Sequence, residues 1–426
     1  MTTVPPRAGK FVGSENELLH WMECCRSEFG DIYQATIYGG SVYVISDLRY
    51  VHHVLRKNWQ NYRKGLAIER IRLLLGKGLM VSEGSLWKRQ RRMIQPGFHE
   101  KVIRDLEETI AHANGSLLAR WEQAAQEAKS VNITRDISHT ILEIVLRVIF
   151  GPDYDSVSQN FAILSDESGR TLHFAHAFRS LGGAITQIVN RRGENSIVSD
   201  DILGMLMNAK DRDDGKAMSD AQLVDEVLTL VVAGHETTAS TLNWMWYLLA
   251  RTPEVERRLH EVLSRGPSHQ PDGFDYIGQV IEETMRLYPA GWLMTRRAIN
   301  DDALGEYFVP RRTEIYLSPY IIQRHPDLWE DPSRFDPDRF DTVRSASRNP
   351  LATLPFSAGP RNCIGEHLAR LEMRIHLAMI AGRLRLRHIE TEPLELDLGV
   401  NLRSRHDFIM LPSFLAKSAR DRVSSD

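Results

Sequence analysis

The sequence has few cysteines and no long apolar run, and these two absences exclude several classes of protein. Three cysteines among 426 residues are too few for a disulfide framework, and Cys24 and Cys25 are neighbours that rarely form an unstrained bridge. The apolar runs fall well short of the roughly 20 residues that a membrane-spanning helix needs. Residues 1–15 contain no apolar stretch typical of a signal peptide. The sequence therefore predicts a soluble, cytoplasmic protein.

The sequence also lacks an excess of charge of either sign. It has 53 Lys and Arg against 56 Asp and Glu, a net charge of −3, which offers no general reason to bind nucleic acid or an anionic membrane. Its 42% of hydrophobic residues is typical of a folded chain with a sizeable core. No repeat or linker divides it. We predict one domain, residues 1–426, with frayed ends at 1–13 and 416–426.

Hydrophobic periodicity predicts a mainly α fold with a small β-sheet region. Apolar residues recur three and four apart over much of residues 87–149. Ser219 is a good N-cap for a long helix that runs to about Ala250. Residues 30–47 alternate as a hairpin does, with Gly39-Gly40 as its turn. Short β-like pieces, a proline-rich loop and a last helix follow.

The strongest motif is the glycine-punctuated loop at residues 356–365, which delivers Cys363 to the start of a helix. Thiolate, the form that binds iron, is favoured where helix N-terminal amides and a basic neighbour approach the sulfur. Gly359 and Gly365 allow the backbone to approach a flat cofactor closely. A single cysteine is ordinarily just a buried thiol, so the motif depends on the rest of the sequence.

This loop resembles the haem-binding loop of the cytochrome P-450 family, Phe-x-x-Gly-x-Arg-x-Cys-x-Gly, and Phe356 and every other fixed position is present. The resemblance implies the cytochrome P-450 fold and a haem-dependent monooxygenase, an iron-containing oxidoreductase. It implies haem b as the cofactor, Cys363 as the axial ligand of the iron, and Arg361 as a partner of a haem propionate.

Two further segments match the family in the expected order: Glu283-Thr-Met-Arg286, and a later loop that contains Arg339. Alone, Glu-x-x-Arg is weak, because a surface ion pair between residues three apart has the same pattern. The resemblance implies a buried Glu–Arg–Arg cluster that maintains the haem pocket and does no chemistry.

The segment Ala233-Gly-His-Glu236-Thr237-Thr238 lies within the predicted long helix, although glycine and paired threonines are poor helix formers. The Thr237 hydroxyl could bond the Ala233 carbonyl, bend the helix and open a groove. Without the other motifs, simple packing would be the better interpretation. The family's catalytic acid–alcohol pair maps onto Glu236 and Thr237, whose implied task is proton delivery to dioxygen. Ala233 would border the haem.

Three more residues resemble family positions that hold haem propionates. Trp87 and Arg91 match a Trp-x-x-x-Arg helix, although a basic amphipathic helix explains them about equally well. Arg296 matches another propionate-binding arginine, with its neighbour Arg297 as a rival. The planar guanidinium suits the task, because it binds a carboxylate through two hydrogen bonds.

The implied partners are a ferredoxin or flavodoxin with an NAD(P)H-dependent reductase, and a small apolar organic substrate. We expect a basic docking face on the thiolate side of the haem, formed by Lys88, Arg89, Arg91, Arg92, Arg370 and Arg374. Trp292, Leu293 and Met294 favour an apolar ligand, and the sequence does not choose among fatty acids, terpenoids, steroids and polyketides. The segment between Gly151 and Asp200, expected to roof the pocket, is shorter than in many relatives.

Two alternatives stay open at this point. A haem-thiolate peroxygenase or isomerase would use Cys363 without redox partners and would not need Glu236 and Thr237. A noncatalytic haem-binding sensor or recruitment protein would keep the cysteine and the Glu283–Arg286 pair, yet would tolerate loss of the acid–alcohol pair. The presence of that pair favours insertion of one oxygen atom from O2, by hydroxylation or epoxidation.

Overall fold

The computed structural model describes residues 3–164, 172–195, 199–264 and 276–415. None of the helices in these ranges is both long enough and apolar enough to cross a bilayer. The α-helices are α1 (Leu18–Phe29), α2 (Leu48–His52), α3 (Leu66–Leu75), α4 (Gly84–Ile94), α5 (Glu100–Arg104), α6 (Glu107–Gln126), α7 (Ile133–Phe150), α8 (Tyr154–Phe161), α9 (Leu172–Glu194), α10 (Ile202–Asn208), α11 (Asp220–Arg251), α12 (Pro253–Ser264), α13 (Tyr276–Leu287), α14 (Pro319–Ile322), α15 (Thr342–Ser345) and α16 (Glu366–Ala381).

The strands form one larger sheet and several small ones. They are β1 (Arg7–Lys10), β2 (Ile32–Ile37), β3 (Gly40–Ile45), β4 (Tyr62–Lys64), β5 (Val131–Asn132), β6 (Met294–Ala298), β7 (Asp302–Leu304), β8 (Tyr307–Val309), β9 (Glu314–Leu317), β10 (Leu384–Ile389), β11 (Leu396–Leu398), β12 (Leu402–Ser404) and β13 (Ile409–Phe414). The larger sheet has the order β1-β2-β3-β9-β6-β4. In the described residues, β10-β13-β5, β11-β12 and β7-β8 make the small sheets. The predicted fold class, mainly helical with little sheet, is confirmed.

The hairpin of β2 and β3 has its turn one residue earlier than predicted. Ile37 pairs with Gly40, so the two turn residues are Tyr38 and Gly39. Both have positive φ, 50° and 78°, as a two-residue hairpin turn of type I′ requires. Gly39 meets this demand without strain, and Tyr38 is an exposed exception.

The prediction of a frayed start over residues 1–13 is wrong for the part that forms β1. This strand pairs in parallel with β2, and Phe11, which follows it, is buried against Trp21 with ring centroids 5.4 Å apart. The edge of β2 offers unpaired backbone groups, and pairing with β1 satisfies them. The other predicted frayed end, residues 416–426, lies outside the described residues.

Helix α11 forms the centre of the helical region. It begins as predicted at Ser219, whose side chain accepts from the Gln222 amide in a reciprocal capping box. Its 32 residues contact α7, α9, α13 and α16. Trp244 and Trp246, near its C-terminal end, are among the largest fully buried side chains. A helix packed on so many sides forms an axis around which the other elements are ordered.

The predicted Glu–Arg–Arg cluster is present on α13 and the loop that follows α14. Arg286 donates to both oxygens of Glu283 at 2.6 and 2.8 Å, and both side chains are fully buried. Arg339 Nε lies 3.3 Å from the same carboxylate. Arg286 also donates to the carbonyls of Gln323 and Pro332 at 2.8 and 2.7 Å. The cluster therefore ties the proline-rich loop, which leads toward Cys363, to a core helix.

We predict that Arg286→Ala lowers the free energy of unfolding by about 3–5 kcal/mol, because it leaves the Glu283 carboxylate buried without its bidentate partner. Urea unfolding followed by circular dichroism measures this loss. The control is Arg257→Ala, which breaks an exposed 2.7 Å pair with Glu261 and should cost no more than about 0.5 kcal/mol. Equal effects of the two substitutions would contradict a structural role for the cluster.

Candidate functional site

The loop that carries Cys363 is closed by its own backbone. The Cys363 amide donates to the Phe356 carbonyl at 2.9 Å, and the Phe356 ring lies 4.9 Å from the Arg370 guanidinium. Gly359 has a φ of 75° and is pressed against the Leu55 carbonyl, which would be 2.0 Å from an added Cβ. The loop therefore has one conformation in which it fits against the preceding chain, and only glycine permits it.

The Cys363 thiol lies inside the protein but is not packed over. Burial raises the pKa of the thiol, while the Gly365 amide and the Arg91 guanidinium act in the opposite direction. Cys363 nevertheless keeps a substantial accessible surface. The thiol is therefore reachable by a ligand although protein surrounds it. A metal ion bound to the sulfur would stabilise the thiolate that burial alone disfavours.

The middle of α11 also lies inside the protein and yet keeps accessible surface. The Thr237 hydroxyl donates to the Ala233 carbonyl at 2.8 Å, which confirms the predicted hydrogen bond. Ala233, Gly234, Glu236 and Thr237 keep partial exposure, although most of the second half of the helix is buried. The residue between Gly234 and Glu236, His235, is buried and bonds Ser138 at 3.0 Å. One side of this segment is thus held to α7, and the other is accessible to a small molecule.

Glu236 has a partner that the sequence did not indicate. The side-chain amide of Asn401 donates to its carboxylate at 2.9 Å. Asn401 immediately precedes β12 and lies 165 residues further along the chain. No spacing motif connects positions so far apart, so only the fold could show this contact.

A cluster of aromatic and cationic side chains lies beside the cysteine loop. The Arg361 guanidinium is 4.5 Å from the centre of the Trp87 ring and pairs through one terminal nitrogen with Glu83. Its Nε and its other terminal nitrogen are buried without a hydrogen-bond partner among the described residues. A buried guanidinium with two unused donors can bind a further carboxylate, which would accept hydrogen bonds from both.

The structure separates Arg296 from its rival Arg297. Side chains alternate across a strand, so the two point to opposite faces of the sheet. Arg297 lies 3.5 Å from Glu314. Burial, with a smaller effect of Arg361, lowers the pKa of Arg296 to about 10. Arg296 is therefore the one beside Arg361.

Lys64 is a member of this cluster that sequence reasoning missed. It pairs with Arg296 across β4 and β6, and its ammonium donates to the carbonyls of Leu79 and Ser82 at 3.0 and 3.2 Å. Burial, followed by repulsion from Arg361, lowers the pKa of Lys64 to about 7. A lysine on a three-residue strand has no distinguishing signal, and only the sheet register places it here.

The charge balance of this cluster calls for an anion. Arg296 and Arg361 lie around one carboxylate, Glu83, together with Lys64, which its lowered pKa leaves only partly protonated near pH 7. Burial raises the pKa of nearby Glu226 to about 8 and favours its neutral form, so it adds little negative charge. A planar cofactor with two carboxylates at one edge and a metal ion at its centre would satisfy both this cluster and the thiol. The residues present therefore fit a haem.

Arg91 contacts the cysteine loop directly. Its two terminal nitrogens donate to the backbone carbonyl and the side-chain oxygen of Asn362 at 2.8 and 3.0 Å. It therefore holds the loop next to Cys363 from α4. Trp87, one turn earlier on the same helix, is the residue that packs against Arg361.

The family comparison agrees with this geometry. The model of the family described as cytochrome P-450 matches residues 5–176 and 183–406. The chain belongs to the cytochrome P-450 family. As a member of this family, it is a haem-thiolate monooxygenase.

This P-450 is similar to bacterial relatives along most of its length. It is 31% identical to cyclooctat-9-en-7-ol 5-monooxygenase of Streptomyces melanosporofaciens, over 84% of this chain and 83% of the relative. It is 28% identical to pentalenene oxygenase of Streptomyces avermitilis, over 86% of each. A crystal structure of the cytochrome P450DA haem domain has a TM-score of 0.85 with 21% identity and covers 98% of this chain and 99% of that one. This structural match shows the fold.

The basic face predicted on the thiolate side of the P-450 is partly neutralised. Arg89 and Arg92 contact Asp211 at 3.3 and 2.8 Å, and Arg92 also contacts Asp213 at 2.6 Å. Sequence reasoning could not see these pairs, because more than a hundred residues separate the partners. Lys88 stays exposed, with its ammonium 5.9 Å from the Trp59 ring.

We predict that Gly359→Ala impairs haem retention by this P-450. The added methyl group meets the Leu55 carbonyl and the positive φ is strained for alanine, so displacing the loop should cost roughly 1–3 kcal/mol. Haem content per protein, measured after purification, is the readout. Gly193→Ala is the control, because an added Cβ at that exposed helical position contacts nothing within 4 Å. Equal haem content in the two variants would contradict the tight fit.

Proposed function

We propose that this P-450 hydroxylates or epoxidises a largely apolar, terpenoid-like substrate, with electrons from a separate ferredoxin or flavodoxin. The observation that carries the proposal is the accessible Cys363 thiol together with the Thr237–Ala233 bond in a helix that is otherwise well packed. A noncatalytic haem protein would need only the accessible thiol, and a peroxygenase would not need the Thr237–Ala233 hydrogen bond.

In this proposal the cofactor is haem b, and Cys363 would supply the thiolate that binds its iron. Arg361, Arg296 and Trp87 would hold the propionates, with Lys64 as an additional basic group. Phe356 and Ala233 would lie beside the ring, and Arg91 supports the loop through Asn362. When bound, the haem supplies dioxygen activation, which electron donation from a thiolate ligand favours. The support for these roles is the charge balance and the free donors of Arg361.

The protein's own contribution is proton handling by Glu236 and Thr237. Because the Thr237 hydroxyl donates a hydrogen bond to the Ala233 carbonyl, its oxygen can accept one from a water molecule in the accessible space. Glu236, on the same partly exposed segment, can exchange a proton with water that enters this space. Together they can hold and relay protons toward the centre of the site.

The docking partner is best placed at the exposed lysine of the thiolate side. Arg370 is occupied by Glu282 and by Glu366, the latter at 3.0 Å. Lys88 remains exposed. An acidic ferredoxin or flavodoxin complements such a surface, and the complex should weaken as salt rises.

The substrate class rests on the relatives more than on the pocket. Trp292, which the sequence suggested as a pocket residue, is buried in the core that packs β2 and β3 against α1. The names of the two bacterial relatives specify cyclic terpenoid substrates, cyclooctat-9-en-7-ol and pentalenene. A spectral screen of terpenoids, fatty acids, steroids and polyketides, read as displacement of water from the ferric iron, tests this choice. The proposal fails if terpenoids leave the spectrum unchanged.

We predict that the reduced protein shows the red-shifted carbon-monoxide band of a thiolate-ligated haem, and that Cys363→Ser abolishes it, because an alcohol does not replace the thiolate. Cys24→Ser is the control, since Cys24 is exposed on α1 and should leave the band intact. A wild-type protein without the band would refute the assignment of the ligand.

We predict that Thr237→Ala lowers the fraction of electrons that reach product by about tenfold or more, because proton delivery is impaired while oxygen consumption continues. The measurement compares product with NAD(P)H consumed, using a ligand from the spectral screen with ferredoxin and reductase. Thr241→Ala is the control, because Thr241 makes the equivalent bond, 3.0 Å to the Thr237 carbonyl, one turn later. Unchanged coupling in Thr237→Ala would exclude the acid–alcohol role. Turnover with peroxide alone, unaffected by the substitution, would favour a peroxygenase.

A further inference from the structure

The β11–β12 hairpin brings a buried amide to the carboxylate of Glu236. The hairpin pairs Leu396–Leu398 with Leu402–Ser404, and Asn401 stands at the end of its turn. The Asn401 amide donates to Glu236 at 2.9 Å, and the residue is only 9% exposed. A donor withdrawn from bulk water can set the orientation of the group that it bonds.

One face of α11 contacts two consecutive residues of this hairpin. Glu236 accepts from Asn401, while the Ser240 hydroxyl and the Trp244 indole nitrogen both donate to the Leu402 carbonyl at 2.6 and 3.0 Å. Residues four apart lie on one side of a helix. Glu236, Ser240 and Trp244 therefore form a continuous seam between α11 and the hairpin. Glu236 is at the end of this seam that adjoins Thr237.

The hairpin is also held by the segment that follows α13. The Leu402 amide donates to the Ala290 carbonyl at 2.9 Å, and the Trp292 indole donates to the Gly399 carbonyl at 3.2 Å. Trp244 itself is fixed by stacking on Tyr288, with centroids 3.9 Å apart. Since these contacts hold the turn without Asn401, its amide reaches Glu236 from a fixed position.

We propose that Asn401 is a positioning residue for Glu236, an inference that rests on the proposed proton-handling role of that carboxylate. The amide orients the carboxylate toward the hairpin and stabilises its ionised form. Proton delivery by Glu236 then depends on this fixed donor.

The charged side chains near the Asn401–Glu236 hydrogen bond do not take over its role of stabilising the Glu236 carboxylate. On α11, burial lowers the pKa of the adjacent His235 to about 4, which keeps it neutral. On the hairpin, Arg403 bonds Asp397 at 2.9 Å, so these two charges largely offset each other. The amide of Asn401 is thus a neutral donor that favours the carboxylate through a hydrogen bond.

The test is the titration of Glu236 in the haem-loaded protein, in its reduced carbon-monoxide form. Glutamate labelled with ¹³C at the side-chain carboxyl gives the signal, and Glu236→Gln identifies it by its disappearance. In Asn401→Leu we expect the titration midpoint to rise by roughly one pH unit, because the ionised form loses its donor. Asn401→Asp, which keeps the size but adds a negative charge, should raise it further and serves if the leucine variant does not retain haem.

Ser240→Ala is the matched control, since it removes the neighbouring contact of the same seam without touching Glu236. Its titration midpoint should stay at the wild-type value. An unchanged midpoint in the Asn401 variants, or an equal shift in Ser240→Ala, would overturn the proposal. The titration does not require turnover. A shifted midpoint combined with normal coupling in Thr237→Ala would therefore refute the proposed function and leave the Asn401 contact standing.

Discussion

The positive charge that Lys64, Arg296 and Arg361 place beside one another is the constraint on which the site depends. Burial, followed by repulsion from Arg361, lowers the pKa of Lys64 and of Arg296, so the charged form of each is disfavoured in the protein alone. Burying these cations is already unfavourable in the empty protein. An anionic cofactor that pairs with them relieves this penalty, and the relief contributes to its binding free energy. By mass action, the loaded protein should then be more stable than the empty one. Recognition of the cofactor and stability of the fold are thus linked through the same three side chains.

The loop that carries Cys363 depends on the same region of the fold. Arg361 belongs to this loop, and Arg91 holds its next residue, Asn362, from α4. On its other side the loop lies against the Leu55 carbonyl, which belongs to a π-helical turn spanning residues 53–57. The position of the thiol is therefore determined by several elements at once, which a tight metal site requires because its ligand must not drift.

Helix α11 combines a rigid part and a locally adapted part. Trp244 and Trp246 anchor its second half in the core, whereas Thr237 diverts its hydroxyl to the Ala233 carbonyl in the middle. The helix tolerates this side-chain hydrogen bond because packing on both sides stabilises a stretch whose own helix propensity is low. The hairpin that bonds Glu236, Ser240 and Trp244 joins these two parts, so the acid is attached to the rigid half through the seam.

The sequence by itself determined most of what depends on short spacing, although it placed the β2–β3 turn one residue too late. Within about ten positions, helix and turn geometry determine which residues contact each other. This holds for the Thr237–Ala233 bond, the Ser219 cap, the Glu283–Arg286 pair and the loop around Cys363. It could not show that Asn401 reaches Glu236, that Lys64 lies beside Arg361, or that Asp211 pairs with Arg89 and Arg92. Those contacts join segments far apart along the chain. Only the packing of sheets and helices decided them, because no local rule relates residues that chain folding alone brings together.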